Sequence, residues 1–361
     1  MKKFSDFYTT VHVPEGSYFI GANTALGFSR GKACYYDEGE LTKLYIIKGG
    51  PGTGKSTMMK RCAEEAEKSG ASVTRLYCSS DPDSLDGVII EKGDIRIAIV
   101  DGTAPHTADP KLPGCTGEII NCGDAWKTEI LEGQRDEIAA LSAAKSVAFE
   151  RAYAFISAAA GIKSTMEKAA SDHTNKRKLR AFAARLCAKL PKQKTPAEKS
   201  YCITGAVSMK GGVRFDTFDR AKIKIGVYSY AFLSKYFFDI LSEEFEKRGH
   251  SQLISTSPLG DIFEIYLPEC DVLITPAAGE GIYTKAVRLK RFADEKASDG
   301  SAKRRFHERF FCELMYAATD ALAEAKSHHF ALEEIYVSAM DFEKINVIGD
   351  KLVSKIKGAL R

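Results

Sequence analysis

One segment of the chain has residue types and spacing that fit phosphate chemistry, Gly49-Gly50-Pro51-Gly52-Thr53-Gly54-Lys55-Ser56. It matches the phosphate-loop pattern G-x-x-x-x-G-K-[ST]. Its glycines allow consecutive backbone N–H groups to turn towards an anion at a helix N-terminus. Lys55 would then reach the β- and γ-phosphate oxygens of ATP, and the Ser56 hydroxyl would bind Mg²⁺. The predicted nucleotide-binding residues are Gly50, Pro51, Gly52, Thr53, Gly54, Lys55, Ser56 and Thr57.

The segments on either side of this loop are those that the motif requires. Leu44-Tyr45-Ile46-Ile47 is a short apolar run typical of a buried parallel strand. Residues 57–70 are rich in helix formers and end at Gly70, which suits a C-cap. A glycine-rich turn that matches the pattern by chance is the alternative, but the order strand, loop and helix favours a nucleotide site.

A second carboxylate-bearing segment follows at the distance expected of a Walker B strand. Residues 95–100 are almost entirely apolar and lead directly into Asp101, which we assign to the Mg²⁺ side of the site. The next residue is Gly102, where many ATP-driven motors have a glutamate that activates water. His106 follows in the same loop and could sense the γ-phosphate or act as a base, but a structural role in that loop is the favoured interpretation. No N-K-x-D guanine motif is present, so adenine is the expected base.

An acidic loop separates these two segments. Residues 72–79 predict a strand, and Ser80-Asp81-Pro82-Asp83-Ser84-Leu85-Asp86 follows it. Ligands bind beyond the carboxyl ends of parallel strands, so this loop should face the nucleotide. We choose Asp81 as the third catalytic candidate, orienting a water or a substrate hydroxyl, with Asp83 and Asp86 as alternatives. A capped turn without catalytic function is the competing interpretation.

The composition excludes several classes of protein. The chain has 361 residues, is 44% hydrophobic and has a formal net charge of +4, which suits a soluble two-domain protein. No apolar run reaches transmembrane length, so no membrane partner is expected. The nine cysteines are scattered without a C-x-x-C pair, which indicates reduced thiols and a cytoplasmic location. The basic stretch 285–309 allows a nucleic-acid partner, although a solvated helix start is the favoured interpretation.

Residues 125–190 are rich in alanine and then in basic residues, which predicts a helical appendage. Such an appendage either packs on the sheet or forms a lid over the phosphates. Arg135, Arg151 and the basic run 176–185 are candidate lid cations, but a solvated helix face is the favoured interpretation of these charges.

The second half of the chain repeats the first. Residues 64–70 return as 243–249, residues 30–35 align with 210–215, and residues 94–97 align with 271–274. The counterpart of the phosphate loop is 228–235, which contains no glycine. We therefore expect the second copy to keep the fold and to lack the nucleotide site, with Lys235 as a relic of the lysine.

Taken together, the motifs resemble those of a bacterial family of P-loop ATPases with two tandem domains, sometimes labelled nucleotide kinases. The residues that carry the likeness are 21–24, 46–57, 80–86, 101–106 and 340–344. The resemblance covers essentially the whole chain. It implies ATP binding and a cytoplasmic setting, and it indicates no substrate.

These observations predict an α/β protein with two P-loop NTPase-like parallel sheets and helical appendages, the second copy being degenerate. The expected domains are 1–195, with the intact motifs, and 196–361. The favoured activity is Mg²⁺-dependent ATP hydrolysis, catalysed through Lys55, Asp101 and Asp81, with the second repeat as a regulatory or docking domain. One alternative is a kinase that transfers phosphate from ATP to a nucleotide or another small acceptor. The other is a non-catalytic ATP-binding interaction module, for which residues 285–309 offer a contact to nucleic acid. A small-molecule acceptor and a protein are the further candidate partners.

Overall fold

A computed structural model describes residues 7–104, 107–194, 196–230, 232–277, 282–293 and 301–361. It has mixed α/β architecture, as expected. Within these ranges, no helix combines the length and the apolar character needed to cross a membrane. The strands are β1 (Tyr8–Val11), β2 (Ser17–Phe19), β3 (Ala22–Thr24), β4 (Gly27–Ser29), β5 (Lys43–Lys48), β6 (Ser72–Tyr77), β7 (Leu85–Lys92), β8 (Ile95–Asp101), β9 (Gly117–Asn121), β10 (Lys199–Cys202), β11 (Gly205–Ser208), β12 (Gly211–Phe215), β13 (Ile223–Tyr228), β14 (Gln252–Thr256), β15 (Ile262–Leu267), β16 (Val272–Pro276) and β17 (Lys285–Arg288).

The helices include two pairs of equal length in corresponding places of the two halves. They are α1 (Lys55–Lys68), α2 (Thr128–Gly133), α3 (Arg135–Asp172), α4 (Lys176–Cys187), α5 (Ser234–Lys247), α6 (Ser301–Ser338) and α7 (Phe342–Ala359). Helices α1 and α5 each have 14 residues, and α3 and α6 each have 38. Helices α1 and α5 are followed by Gly70 and Gly249, which have φ of 77° and 78°. The two repeats thus end these helices with a glycine in the same left-handed conformation.

Two six-stranded sheets have the same topology. One has the order β2-β6-β7-β8-β5-β9 and the other β10-β14-β15-β16-β13-β17. In both sheets the central strand that precedes the loop, β5 or β13, pairs in parallel with both neighbours. Smaller sheets are formed by β1-β12-β11 and by the hairpin β3-β4. The predicted internal repeat is therefore visible in strand order and in strand direction.

The large sheets are mostly parallel, as expected, but each contains one antiparallel strand that was not expected. Strand β7 runs antiparallel to both of its neighbours, and β15 does the same in the second sheet. The turn from β7 to β8 has two residues between Lys92 and Ile95, with Gly93 at φ 57°. A two-residue hairpin turn needs this left-handed backbone. The predicted acidic loop is accordingly shorter, because its last residues Leu85 and Asp86 already belong to β7.

One residue of the predicted repeat has a different counterpart in the structure. The sequence aligns Gly31 with Gly211, whereas Gly27 is the residue in the hairpin position of Gly211. Both of these glycines begin the second strand of a short hairpin, β12 or β4, with φ of 105° and 97°. The error arose because the basic residues before Gly31 and Gly211 look alike, although only the backbone angle identifies the hairpin position.

The chain forms two compact units, and each contains parts of both sequence halves. Unit 1 comprises Met1–Val13, Ala22–Ala33 and Ala152–Thr319, and unit 2 comprises Pro14–Gly21, Cys34–Arg151 and Asp320–Arg361. Residue contacts therefore divide the chain differently from the predicted boundary between 195 and 196, which follows the sequence repeat. The physical reason is that each long helix, α3 or α6, begins in one unit and ends in the other.

Unit 2 is built on the sheet that contains β5. Its core combines the apolar face of α1, including Met59 and Cys62, with residues of α7 such as Leu352 and Ile356. Further contacts join α7 to the 3₁₀ turn after β9, where the Asp341 N–H donates to the Ala125 carbonyl at 2.8 Å. The C-terminal helix is thus part of the core beneath the phosphate-loop motif.

Unit 1 contains the second large sheet and a buried ionic network. Glu264 on β15 has no exposed surface, and it accepts hydrogen bonds from Arg214 at 2.6 Å and from Thr204 at 2.7 Å. The hydroxyl of Thr275 donates to the same carboxylate at 2.6 Å. Burial lowers the pKa of the Arg214 guanidinium, but Glu264 and Asp219 outweigh it and raise this pKa. This network ties β12 to the large sheet.

Replacement of Glu264 should therefore destabilise unit 1 strongly. In Glu264→Ala, Arg214 loses a buried partner, and such a loss typically costs about 3–5 kcal/mol. The free energy of unfolding can be measured by urea denaturation. The control is Lys199→Ala, which removes the more exposed ion pair with Glu246 and should cost at most about 1 kcal/mol. Equal losses for the two variants would contradict the assignment of Glu264 as a structural centre.

Candidate functional site

The phosphate-loop motif joins β5 to α1, as the sequence predicts. Gly54 is the N-cap of α1 with φ 76°, and it has no side chain to cap the first-turn N–H groups. The first turn of α1 also contains no acidic residue. A helix N-terminus of this kind presents N–H donors and the positive end of the helix dipole. The loop is therefore suited to an anion such as a phosphate group.

Lys55 and Asp101 come together at the end of adjacent strands. Parallel pairing of β5 with β8 places Ile47 opposite Asp101, and the Lys55 Nζ lies 3.7 Å from an Asp101 carboxylate oxygen. Their side chains are only 12% and 11% exposed. Lys55 also donates to the carbonyls of Gly49 at 3.1 Å and Gly50 at 2.8 Å. The lysine is thus held over the loop.

Asp101 is oriented by the residue two positions later. Its second carboxylate oxygen accepts the backbone N–H of Thr103 at 2.8 Å and also the Thr103 hydroxyl. Gly102 lies between them, and a Cβ at this position would be 2.3 Å from Ile46 Cγ2. No side chain fits there without a shift, so the lack of a glutamate after Asp101 has a steric explanation. His106 lies outside the described residues.

Ser56 connects the loop to the acidic segment. Its Oγ accepts the backbone N–H of Leu85 at 2.9 Å, which leaves the oxygen a second lone pair. The predicted proximity of the acidic loop to the phosphate loop is therefore confirmed. Magnesium at phosphate sites uses only one or two protein ligands, and Ser56 with Asp101 provides a hydroxyl and a carboxylate of that kind.

Asp81 forms an ion pair that the sequence did not predict. Its carboxylate is 2.9 Å from Lys326 Nζ on α6, and the two side chains are 18% and 13% exposed. Asp83 donates its N–H to Asp81 at 3.3 Å, and Asp86 is buried at the start of β7. The structure therefore joins Asp81 to a cation beside the phosphate loop, whereas Lys55 is paired with Asp101.

The C-terminal part of α6 packs directly on the glycine loop. A Cβ on Gly50 would lie 2.9 Å from the Tyr336 ring and 3.2 Å from Trp126. A Cβ on Gly52 would lie 2.8 Å from Val337 Cγ2 and 3.2 Å from the Glu333 carbonyl. Trp126 is the single tryptophan of the chain, and its ring centroid is 5.5 Å from that of Tyr336. The loop glycines thus permit both the backbone turn and the close approach of a helix.

Three lysines concentrate positive charge near the loop. Burial, together with the charges of Lys326 and Lys55, lowers the pKa of Lys145 on α3. Glu333 on α6 has a lowered pKa because it accepts a hydrogen bond from His329, with Lys326 and Lys55 contributing. Asp101 and Asp81 pair with Lys55 and Lys326, so these two lysines are already neutralised in part. The predicted lid arginines are placed otherwise, since Arg151 pairs with Glu324 and Arg135 begins α3.

The corresponding loop of unit 1 has bulky residues in place of glycines. Phe232, two residues before α5, has φ 61°, in the left-handed region that Gly52 occupies with φ 71° in the other loop. A bulky residue in this region is strained. Its ring packs against Phe311 with a centroid distance of 4.9 Å, and Lys235 pairs with Asp239 at 2.9 Å. The prediction that large side chains replace the glycines of the loop holds in the structure.

Sequence reasoning missed Lys145, Lys326, Glu333 and Tyr336, which come from the two long helices. No local motif marks them. A usable signal was the placement of each lysine within an otherwise apolar or alanine-rich stretch, because a charge there needs a partner. The chain matches no protein-family model, no curated protein and no solved structure.

Gly52 and Gly70 allow the cost of backbone strain to be measured apart from the cost of close packing, because both have a left-handed backbone. Gly52 and Gly70 have φ of 71° and 77°, but a Cβ on Gly70 would meet nothing within 4 Å. We expect Gly70→Ala to cost about 1 kcal/mol from backbone strain alone. Gly52→Ala should lower the free energy of unfolding further, because Val337 and the Glu333 backbone must move. Chemical denaturation tests this, and equal costs would rule out the tight packing of α6 on the loop.

Proposed function

We propose that unit 2 binds Mg²⁺-ATP and hydrolyses it at one site, with unit 1 carrying a degenerate copy that has lost this activity. The observation that carries the proposal is the Lys55–Asp101 pair, 3.7 Å apart and largely buried, beside a glycine loop at a helix N-terminus. The same topology in both sheets supports a tandem P-loop NTPase-like fold. The second copy would then serve as a regulatory or docking domain.

Each residue of the site has a role in this proposal. The loop N–H groups and Lys55 hold the phosphates, and Lys55 exchanges the Gly49 and Gly50 carbonyls for phosphate oxygens. Ser56 and Asp101 would hold Mg²⁺, which when bound neutralises charge on the β- and γ-phosphates. Lys145 and Lys326 supply further positive charge from α3 and α6, and Asp81 positions Lys326. Such electrostatic stabilisation is the main protein contribution to phosphoryl transfer.

The ion pair between Asp81 and Lys326 bears on hydrolysis and on transfer alike, because either reaction would use this carboxylate to orient a water or an acceptor hydroxyl. Hydrolysis remains the favoured activity because a degenerate second copy suits the regulatory or docking partner of an ATP-driven switch. All nine cysteines are free thiols, which supports a protein of a reducing compartment such as the cytoplasm. Adenine remains the proposed base, and the likeness to tandem P-loop ATPases supports the same activity.

The first test measures phosphate release from Mg²⁺-ATP without an acceptor. Lys55→Ala should lower the rate of phosphate release at least about 100-fold, because the lysine stabilises the negative charge on the phosphate oxygens in the transition state. The control Lys68→Ala removes an exposed lysine from the other end of α1, paired only with Glu65, and should leave release unchanged. Trp126 fluorescence reports binding separately, since its ring lies against the loop at Gly50.

The outcomes distinguish the candidate functions. Release that depends on Lys55 supports an ATPase. A change in Trp126 fluorescence without release, followed by ADP formation when an acceptor is added, would replace hydrolysis by a kinase activity. Binding without either reaction would favour the non-catalytic module. Absence of ATP binding, with the native chain folded, would refute the nucleotide site itself.

The lysine cluster gives a second prediction. Lys145→Met removes a cation whose pKa is lowered by burial, Lys326 and Lys55, so the protein without nucleotide should have an equal or higher Tm. The rise in Tm caused by Mg²⁺-ATP should become smaller, because the bound nucleotide no longer interacts with the positive charge of Lys145. Arg151→Met, on the same helix in an exposed pair with Glu324, is the control. An unchanged ATP-dependent rise in Lys145→Met would place Lys145 outside the site.

A further inference from the structure

Charge is distributed very unevenly between the two units. Unit 1 contains 32 lysines and arginines against 20 aspartates and glutamates, whereas unit 2 contains 20 against 28. The modest net charge of the whole chain therefore conceals one strongly basic and one acidic unit. Concentrated positive charge of this kind attracts polyanions. The ATP site belongs to unit 2, so it does not account for the basic character of unit 1.

Much of this charge lies in two segments without any acidic residue. Residues 173–197 include eight lysines and arginines and no aspartate or glutamate, and residues 281–293 include four and none. The first segment contains α4, and the second contains β17 and the 3₁₀ turn Leu289–Phe292. We call the exposed cations of these segments the basic face. Its members on α4 and shortly after it are Lys176, Arg177, Lys178, Arg180, Arg185 and Lys189.

The two segments are adjacent in the fold. The Asn175 N–H donates to the Phe292 carbonyl at 2.9 Å, and Asn175 caps α4. Arg291 and Lys285 lie over the ring of Phe182 on α4, at 4.8 and 5.8 Å from its centroid. Burial together with the charges of Lys189 and Arg291 lowers the pKa of Lys285. Lys285, Arg291 and Lys189 therefore lie close together where the two segments meet.

The equivalent helix of the other repeat shows that the fold does not require this charge. Helix α7 corresponds to α4, since both begin after a side-chain cap, Asp341 or Asn175, at the end of a long helix. Helix α7 mixes Glu343 and Asp350 with its lysines, whereas α4 has no acidic residue at all. The two helices share one structural task and differ in surface charge. The basic face thus reflects a property additional to folding.

The shape and chemistry of the basic face fit a nucleic-acid strand. Helix α4 has 12 residues and is about 18 Å long, so its exposed cations can contact several successive phosphates of a strand. Arg288 lies 5.0 Å from the Tyr228 ring centroid and Arg291 4.9 Å from that of Phe292, and guanidinium planes held in this way can stack on bases. Within the described parts of α4, β17 and the following turn, no large apolar side chain is exposed, although Ile282, three residues before β17, is 90% exposed. The test below therefore includes a lipid surface as a competing partner.

We propose that the basic face of unit 1, formed by α4, β17 and the turn after it, binds single-stranded nucleic acid through its phosphates. The sequence alone favoured a solvated helix start for the basic stretch 285–309. The structure places the first part of that stretch, residues 285–292, beside α4. This proposal is independent of ATP hydrolysis, because none of its residues belongs to the nucleotide site.

The test compares charge reversals at matched positions of the two equivalent helices. Lys178→Glu/Arg185→Glu alters the basic face, and the control Lys344→Glu/Lys351→Glu alters the same positions of α7. Each full-length protein is titrated with a fluorescein-labelled 30-nucleotide DNA strand of mixed sequence, without ATP, at 50–200 mM salt. The α4 variant should bind at least about tenfold more weakly at 50 mM salt, and its log–log salt slope should fall by about 1.4. The α7 variant should bind as the native chain does.

Several results would overturn the proposal. These are no binding of the strand by the native chain at 50 mM salt, equal weakening in both variants, or a salt slope that the α4 variant does not change. Binding of vesicles containing phosphatidylserine but not of the strand would assign the face to a membrane surface instead. Circular dichroism verifies that both variants are folded, and phosphate release from ATP should be the same in both.

Discussion

Parallel pairing of β8 with β5 is the constraint on which the candidate site depends. It sets Asp101 beside the end of β5, so that the loop after β5 and the carboxylate after β8 open at the same edge. Strand β6 runs in the same direction because antiparallel β7 separates it from β8. Its acidic loop therefore reaches Ser56 and Lys326 at that edge as well. One register thus positions three segments that are distant in sequence.

The two repeats share a left-handed backbone conformation in the loop before the helix, although the side chains of the two loops differ. Gly52 and Phe232 have nearly the same left-handed backbone, although only the glycine adopts it without strain. A loop that retains a costly conformation after losing its glycines is held by the surrounding fold, here by the buried Phe232 and Phe311 rings. Unit 1 therefore preserves the architecture of the loop as a structural element, while its surface has acquired a different charge.

What could be predicted from the sequence was local. The loop, β5, α1 and β8 follow from glycine spacing and short apolar runs, and Lys55 and Asp101 were named correctly as neighbours. Strand β7 was missed because its buried run, Val88–Ile90, follows an acidic stretch that reads as a loop. Lys145 and Lys326 could not be found, since their positions depend on long helices that return from elsewhere in the chain. Tertiary packing, and not composition, brings these cations to the loop.

The course of the two long helices has a consequence for the folding of the chain. Each sheet is completed by helices encoded in the opposite half: α7 packs in the core with β5 and α1, and α4 packs in the core with β13 and α5. A polypeptide of half this length would leave its sheet uncovered unless a second copy supplied the helices. Neither half of the sequence therefore encodes the complete core of the sheet whose strands it contains. Folding of either sheet must wait until residues from both halves of the chain are present.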